Sequence, residues 1–235
     1  MSALIFDFDG VIADSEAIAN TVLAETVTGL GYSTTLDQSL DRYAGRRWTE
    51  CMAEIEAAIG KPLPSDFSGE LKRATLDRFR TDLREVSGAA DFIGRFAHIP
   101  RAIASSSSID RLQLCLSVLG MEAQFGDHVF SADMVARGKP HPDIFLFAAG
   151  KLGVSPERCL VIEDSTGGIK AAVAAGMTSV GLCAASHIRD GHDVGCAMQG
   201  PCIWRSRGKK LSGSPRNFSN ARPIHDPPAC RAGFR

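Results

Sequence analysis

Short apolar runs that stop abruptly at polar clusters recur along this chain, and they limit its fold more than any other feature. Ala3-Leu4-Ile5-Phe6 gives way to Asp7-Phe8-Asp9-Gly10, and Arg101-Ala102-Ile103-Ala104 to four serines. Leu160-Val161-Ile162 gives way to Glu163-Asp164-Ser165. Runs so brief and so continuously apolar predict strands buried on both faces. Val129-Phe130 and Thr178–Leu182 predict two more strands. Helices are predicted between them, around Ala90–Phe96, Leu112–Leu119 and Gly168–Ala175. Another opens with Pro142 at the first helical position and carries Ile144, Phe145, Phe147 and Leu152 as its stripe. Alternating strands and helices with apolar strands imply a parallel α/β sheet.

The stretch from Ser15 to about Leu83 interrupts that alternation. Ser15 is placed to cap a helix with Ile18, Val22, Leu23 and Val27 on one face, ending near Gly29 or Gly31. Trp48, Met52, Ile55 and Ile59 continue helical spacing until Gly60-Lys61-Pro62 stops it. Leu71, Leu76, Phe79 and Leu83 mark one more helix. The block reads as a helical insertion after the first strand. Residues 1–14 and 88–186 are then one domain and residues 15–87 a second.

Periodicity vanishes from about Gly191 onward. Cys196, Cys202 and Cys230 fall there, with Pro201, Pro215, Pro223, Pro227 and Pro228. A doubly wound domain is expected to continue past Leu182 with a strand and a helix, and residues 187–235 resemble neither. They are expected to be a disordered extension or the product of a shifted reading frame.

Composition removes several function classes. The formal charge is -1, from 26 basic and 27 acidic residues, so the chain as a whole is no electrostatic nucleic-acid binder. No run of about 18 apolar residues spans a membrane. The first residues, with Asp7 and Asp9 close behind, do not read as a signal peptide. Seven cysteines without a C-x-x-C pair predict free thiols in a reducing cytoplasm. There is no G-x-S-x-G elbow around Ser105–Ser108 and no G-x-G-x-x-G fingerprint.

Four polar clusters therefore sit at strand ends or on the loops beside them, where open α/β sheets bind ligands. They are Asp7-x-Asp9-Gly10, Ser105, Gly138-Lys139-Pro140 and Glu163-Asp164-Ser165. In this order they resemble the haloacid dehalogenase superfamily of aspartyl phosphotransferases. The strings that carry the likeness are Phe6-Asp7-Phe8-Asp9-Gly10-Val11-Ile12-Ala13-Asp14-Ser15-Glu16, Ala104-Ser105-Ser106-Ser107, Gly138-Lys139-Pro140-His141-Pro142-Asp143 and Glu163-Asp164-Ser165. They look most like the branch holding β-phosphoglucomutase, phosphoglycolate phosphatase and 6-phosphogluconate phosphatase, over about residues 3–185. The implied fold is a Rossmann-like, doubly wound core with a small helical cap and, here, an atypical C-terminal tail.

The resemblance also implies roles. Asp7 is the expected nucleophile, forming an aspartyl-phosphate. Mg²⁺ is the expected cofactor, held by Asp7, the backbone carbonyl of Asp9 and Asp164, with Glu163 supporting through a water. Lys139 and Ser105 are expected to stabilise the phosphoryl oxygens. Asp9 is expected to be the general acid and then the base, its pKa raised by crowding among carboxylates. Its presence favours phosphatase or phosphomutase chemistry, since the family's dehalogenases lack this second aspartate. The loop Tyr43–Trp48 is expected to face the substrate, with Gly45, Arg46 and Arg47 as binding residues beside Ser106 and Ser107 of the serine loop.

These features point to a cytoplasmic, Mg²⁺-dependent phosphatase, a monomer or weak homodimer, acting on a small phosphorylated metabolite. A sugar phosphate or sugar-acid phosphate fits, with no nucleic-acid or membrane partner. The alternatives are a phosphomutase of the same chemistry and a catalytically impaired binding domain. In β-phosphoglucomutase the helix after the first motif carries a histidine, whereas Ser15-Glu16-Ala17-Ile18-Ala19-Asn20 has none, which weighs against a mutase.

Overall fold

A computed structural model describes residues 1–187, apart from 45 and 47. The expectations for the tail beyond residue 187, and for Gly45 and Arg47, lie outside the described residues.

Among the described residues, five parallel strands form one sheet. In chain order the elements are β1 (Ala3–Phe6), α1 (Glu16–Gly29), α2 (Leu36–Tyr43), α3 (Trp48–Ile59), α4 (Phe67–Asp82), α5 (Ala89–Arg95) and β2 (Arg101–Ser105). Then come α6 (Ile109–Leu119), α7 (Glu122–Phe125), β3 (Val129–Ser131), α8 (Asp143–Leu152), β4 (Cys159–Glu163), α9 (Thr166–Ala174) and β5 (Thr178–Gly181). The strands lie in the order β3-β2-β1-β4-β5, with β1 at the centre.

The apolar runs are continuous because both faces are covered. Leu4, Phe6, Ile103, Leu160 and Ile162 pack on one side with Leu112, Leu116 and Phe125. Ala3, Ile5, Ala102, Ala104 and Val161 pack on the other with Ile144, Phe145 and Ala171. Alternate residues of one strand thus serve opposite layers, as the two-residue period of a strand requires. This is the doubly wound α/β fold expected from the sequence.

Helices α1 to α4 form their own small core around Leu23, Val27, Cys51, Ile55 and Phe67. Trp48 stacks on Phe67, with ring centroids 6.1 Å apart. Two chain segments join this unit to the sheet. They run side by side: Asp14 N–H donates to Arg84 O at 3.0 Å and Val86 N–H donates to Ile12 O at 2.8 Å.

Two local details differ from the sequence reading. Helix α2 was not expected; a reciprocal capping box between Thr35 and Gln38 starts it, a signal too short to stand out in a loop-like stretch. Pro142 occupies the N-cap of α8 rather than its first helical position. The described cysteines, Cys51, Cys115, Cys159 and Cys183, are buried free thiols. No helix among the described residues is long and apolar enough to cross a membrane.

Candidate active site

Parallel pairing of the central strands assembles the acids. Phe6 is in register with Ile162, and Asp7 N–H donates to Ile162 O at 2.8 Å. The residues that follow, Asp7 just past β1 and Glu163 at the end of β4, therefore stand side by side. Ser105 ends β2 on the other flank of β1, where Phe6 pairs with Ile103. Lys139 arrives from the loop between β3 and α8.

Lys139 Nζ donates to Asp7 Oδ1 at 2.6 Å and to Glu163 Oε1 at 2.7 Å. It is also 4.9 Å from the centroid of the Phe145 ring, which faces it from α8. One ligand atom each from Asp7, Glu163 and Asp164 lies within 4.8 Å of the others. Three carboxylates around one ammonium leave an excess of negative charge in a buried place. Asp7 shows the effect: burial, opposed by Lys139 but reinforced by Glu163 and Asp9, pushes its carboxyl up to about 7. Burial, with Glu163 and Asp7, also raises Asp164. Burial alone would lower Lys139, but its two carboxylate partners win and raise it, so it stays charged.

A hard divalent cation fits this donor set. All its potential ligands are oxygens, the geometry is compact, and a charge of +2 would cancel the excess. Two glycines keep the space. A Cβ on Gly10, at φ +77°, would stand 1.7 Å from Asp164 Oδ2. A Cβ on Gly168, in the first turn of α9, would stand 1.6 Å from Glu163 Oε1. Neither carboxylate could keep its place beside an alanine. Glu163 Oε2 also accepts from Ser165 N–H at 2.6 Å, so that carboxylate is held from both sides.

Asp9 is held quite differently. Its Oδ1 accepts from Arg111 Nη2 at 2.6 Å and from the hydroxyl of Ser15, and its Oδ2 accepts from Ser107 Oγ at 2.6 Å. Burial would raise Asp9, but Arg111 and the two hydroxyls outweigh it and hold the carboxyl below its usual value. The expectation that crowding raises Asp9 is thus corrected. Crowding and burial raise Asp7 and Asp164 instead, whereas Asp9 has a cation and two hydroxyl donors.

The other expected residues are distributed as follows. Ser105 is buried, and its Oγ accepts from Ser107 N–H at 3.1 Å. Ser106 and Ser107 line a cleft of about 500 Å³ between the helical unit and the sheet, together with Arg46. Arg46 is committed within its own unit, to Glu54 at 2.6 Å and to Glu50 at 3.9 Å. Arg111 and Ser15 were missed as site residues. Ser15 was read as a helix cap, yet its hydroxyl turns to Asp9. Arg111 sits in α6 with no motif around it, and nothing local in the sequence marks it.

A family model for haloacid dehalogenase-like hydrolases matches residues 1–176. The chain belongs to the haloacid dehalogenase-like hydrolases. It is therefore an enzyme of the hydrolase class, and its strand-end acids occupy the ends of a sheet built like its relatives'. The chain is 26% identical over 214 residues to 6-phosphogluconate phosphatase of Escherichia coli, covering 88% of this chain and 96% of that one. It is 31% identical over 180 residues to fructose-1-phosphate phosphatase of Escherichia coli, covering 76% and 95%. A solved structure of a haloacid dehalogenase-like protein of unknown function from Agrobacterium tumefaciens superposes with a TM-score of 0.77 at 36% identity, covering 88% of this chain and 94% of that one.

Proposed function

We propose that this hydrolase is a Mg²⁺-dependent phosphatase that cleaves a small phosphorylated metabolite, a sugar phosphate or sugar-acid phosphate, through an aspartyl-phosphate on Asp7. The observation that carries the reading is the buried cluster in which Lys139 reaches Asp7 at 2.6 Å and Glu163 at 2.7 Å, with Asp164 alongside. Phosphatase relatives of full length support it.

Asp9 first gives up its bond to Arg111 and takes a proton from solvent; Asp7 then attacks phosphorus, the P–O bond to the leaving group breaks, and the leaving oxygen takes that proton from Asp9. Asp9 then removes a proton from water, whose oxygen attacks the phosphorus of the acyl phosphate. Phosphate departs and Asp7 is restored. Lys139 neutralises charge on the phosphoryl oxygens and on Asp7, and Ser105 donates to the same oxygens. Asp7, the backbone carbonyl of Asp9 and Asp164 would hold Mg²⁺, with Glu163 supporting it through a water, and the ion supplies positive charge against the anionic ester when bound.

The helical unit, residues 15–87, acts as a cap over the core, residues 1–14 and 88–186, and shields the reaction from water. This reading places the enzyme in the cytoplasm as a monomer or weak homodimer. Phosphate release from sugar phosphates, sugar-acid phosphates and glycolate phosphate, with Mg²⁺ and with EDTA, tests the whole. Release that needs both Mg²⁺ and Asp7 is the expected result. No release by folded protein beyond that of Asp7→Asn would overturn it.

A further inference from the structure

A second cavity, of about 350 Å³, lies at the opposite end of the sheet from the acidic cluster. Arg101 lines it and opens β2, whereas Ser105 closes the same strand at the candidate active site. At about 3.3 Å per residue, the two ends of that strand stand about 13 Å apart. The loop before β2, the end of α7 and the last turn of α8 form the walls.

The ionisable lining is basic throughout. His98, Arg101, His128 and Lys151 contribute to it, and no aspartate or glutamate does. Phe125, buried, and Leu152, half-buried, add apolar surface beside them.

Arg101 is the group left without a counter-charge. Its Nε donates to Gln124 O at 2.7 Å and its Nη1 donates to Phe96 O at 3.1 Å, so two backbone carbonyls fix the guanidinium. Carbonyls orient a cation without neutralising it. Arg101 is half-buried, and among the described residues it forms no ion pair and its Nη2 no hydrogen bond. Arg111, also half-buried, has Asp9 at 2.6 Å by contrast. Lys151 Nζ lies 5.3 Å from the centroid of the Phe147 ring and likewise has no ion pair among the described residues. A cation withdrawn from water without a carboxylate favours an anion beside it. A guanidinium already fixed in place presents its remaining N–H groups as a preformed fork for carboxylate or phosphate oxygens.

We propose that this cavity is a binding site for one small organic anion, a carboxylate or a phosphate on a largely apolar body. The headgroup pairs with Arg101 and Lys151, and the body lies against Phe125 and Leu152. The two imidazoles add hydrogen-bonding capacity around the headgroup. The volume suits a single small molecule. No residue of the acidic cluster takes part, so the site is separate from the substrate site and stands whether or not the chain is a phosphatase.

The test is a titration of the isotope-labelled full chain, in EDTA, with phenylphosphonate, benzoate and the neutral benzamide, followed by backbone amide NMR shifts. Amides of residues 97–101, 124–128 and 151–152 report this cavity, and those of residues 8–10 and 105–107 report the acidic cluster. Saturable shifts at the cavity amides are expected from the anions, with benzamide at least about tenfold weaker. If only one anion binds, that probe identifies the headgroup. Lys151→Glu, a change at an exposed side chain, is expected to weaken the anions by about threefold or more and to leave benzamide unaffected. Arg101→Met is expected to remove the preference for anions. Should that variant fail to fold because two carbonyls lose their donor, Lys151→Glu decides alone. Shifts confined to the acidic cluster, no saturable shift from either anion, benzamide binding as tightly as the anions, or anion binding unchanged in Lys151→Glu each overturn the proposal.

Discussion

Arg111 Nη2 stands 2.6 Å from Asp9 Oδ1, joining α6 to the loop after β1 across 102 positions of chain. This contact decides the ionisation of a residue that sequence reasoning placed among crowded carboxylates. Asp9 sits only two residues from Asp7, yet the two are driven in opposite directions.

Stability at low pH follows from the Asp9 pair. Its carboxyl is held below the unfolded value, so the folded state is favoured above the unfolded pKa of about 3.8, and that contribution is lost as pH falls through the lower folded pKa. Asp9→Asn is expected to cost about 1–3 kcal/mol at neutral pH and to flatten the acid limb of the stability curve. Urea melts from neutral pH down to about pH 3 check it. A variant whose acid limb matches the parent's would show that the pair contributes nothing.

Replacing Asp7 by asparagine removes the proposed nucleophile while leaving Lys139 its bond to Glu163. Phosphate release is expected to fall by at least about a thousandfold with the circular dichroism spectrum unchanged. Initial rates at saturating substrate, with and without the substitution, measure it.

Gly168→Ala offers a sign test. Alanine in place of a helical glycine ordinarily stabilises by roughly 0.5–1 kcal/mol. Here the new Cβ would lie 1.6 Å from Glu163 Oε1. The expected outcome is a loss of about 1–3 kcal/mol together with weaker Mg²⁺ binding. Gly10→Ala should behave likewise, since it crowds Asp164 and also strains a backbone at φ +77°. A more stable Gly168→Ala would mean that Glu163 moves aside without loss.

Mg²⁺ should stabilise the protein more at high pH than at low pH. Asp7, raised to about 7, keeps in the metal-free fold a proton that the unfolded chain releases near pH 3.8. Stability without metal therefore declines as pH rises through that window, and metal binding, which needs the carboxylate bare, strengthens. Thermal melts with Mg²⁺ and with EDTA are expected to diverge more at about pH 8 than at about pH 5.5. Equal divergence at both would remove Asp7 from the metal site.

Much of the site was legible in advance because its signals are local. An apolar run that stops at Asp7 or Glu163 marks a strand end wherever the strand lies, and Lys139 stands in a distinctive string. Helix α2 was missed because its capping signal is two residues in a stretch without periodicity. Arg111 was missed because nothing beside it in the chain distinguishes it from a surface arginine on an amphipathic helix.

The sequence by itself determined the parallel sheet, the helical insertion and the identity of the strand-end acids. Each of these depends on spacing within a few residues, which the backbone's two periods convert directly into faces and ends. Only the tertiary structure decided which acids are raised, Asp7 and Asp164, and which is lowered, Asp9. An electrostatic environment sums charges and burial through space, and the groups that set it here, Lys139, Glu163 and Arg111, come from three distant parts of the chain.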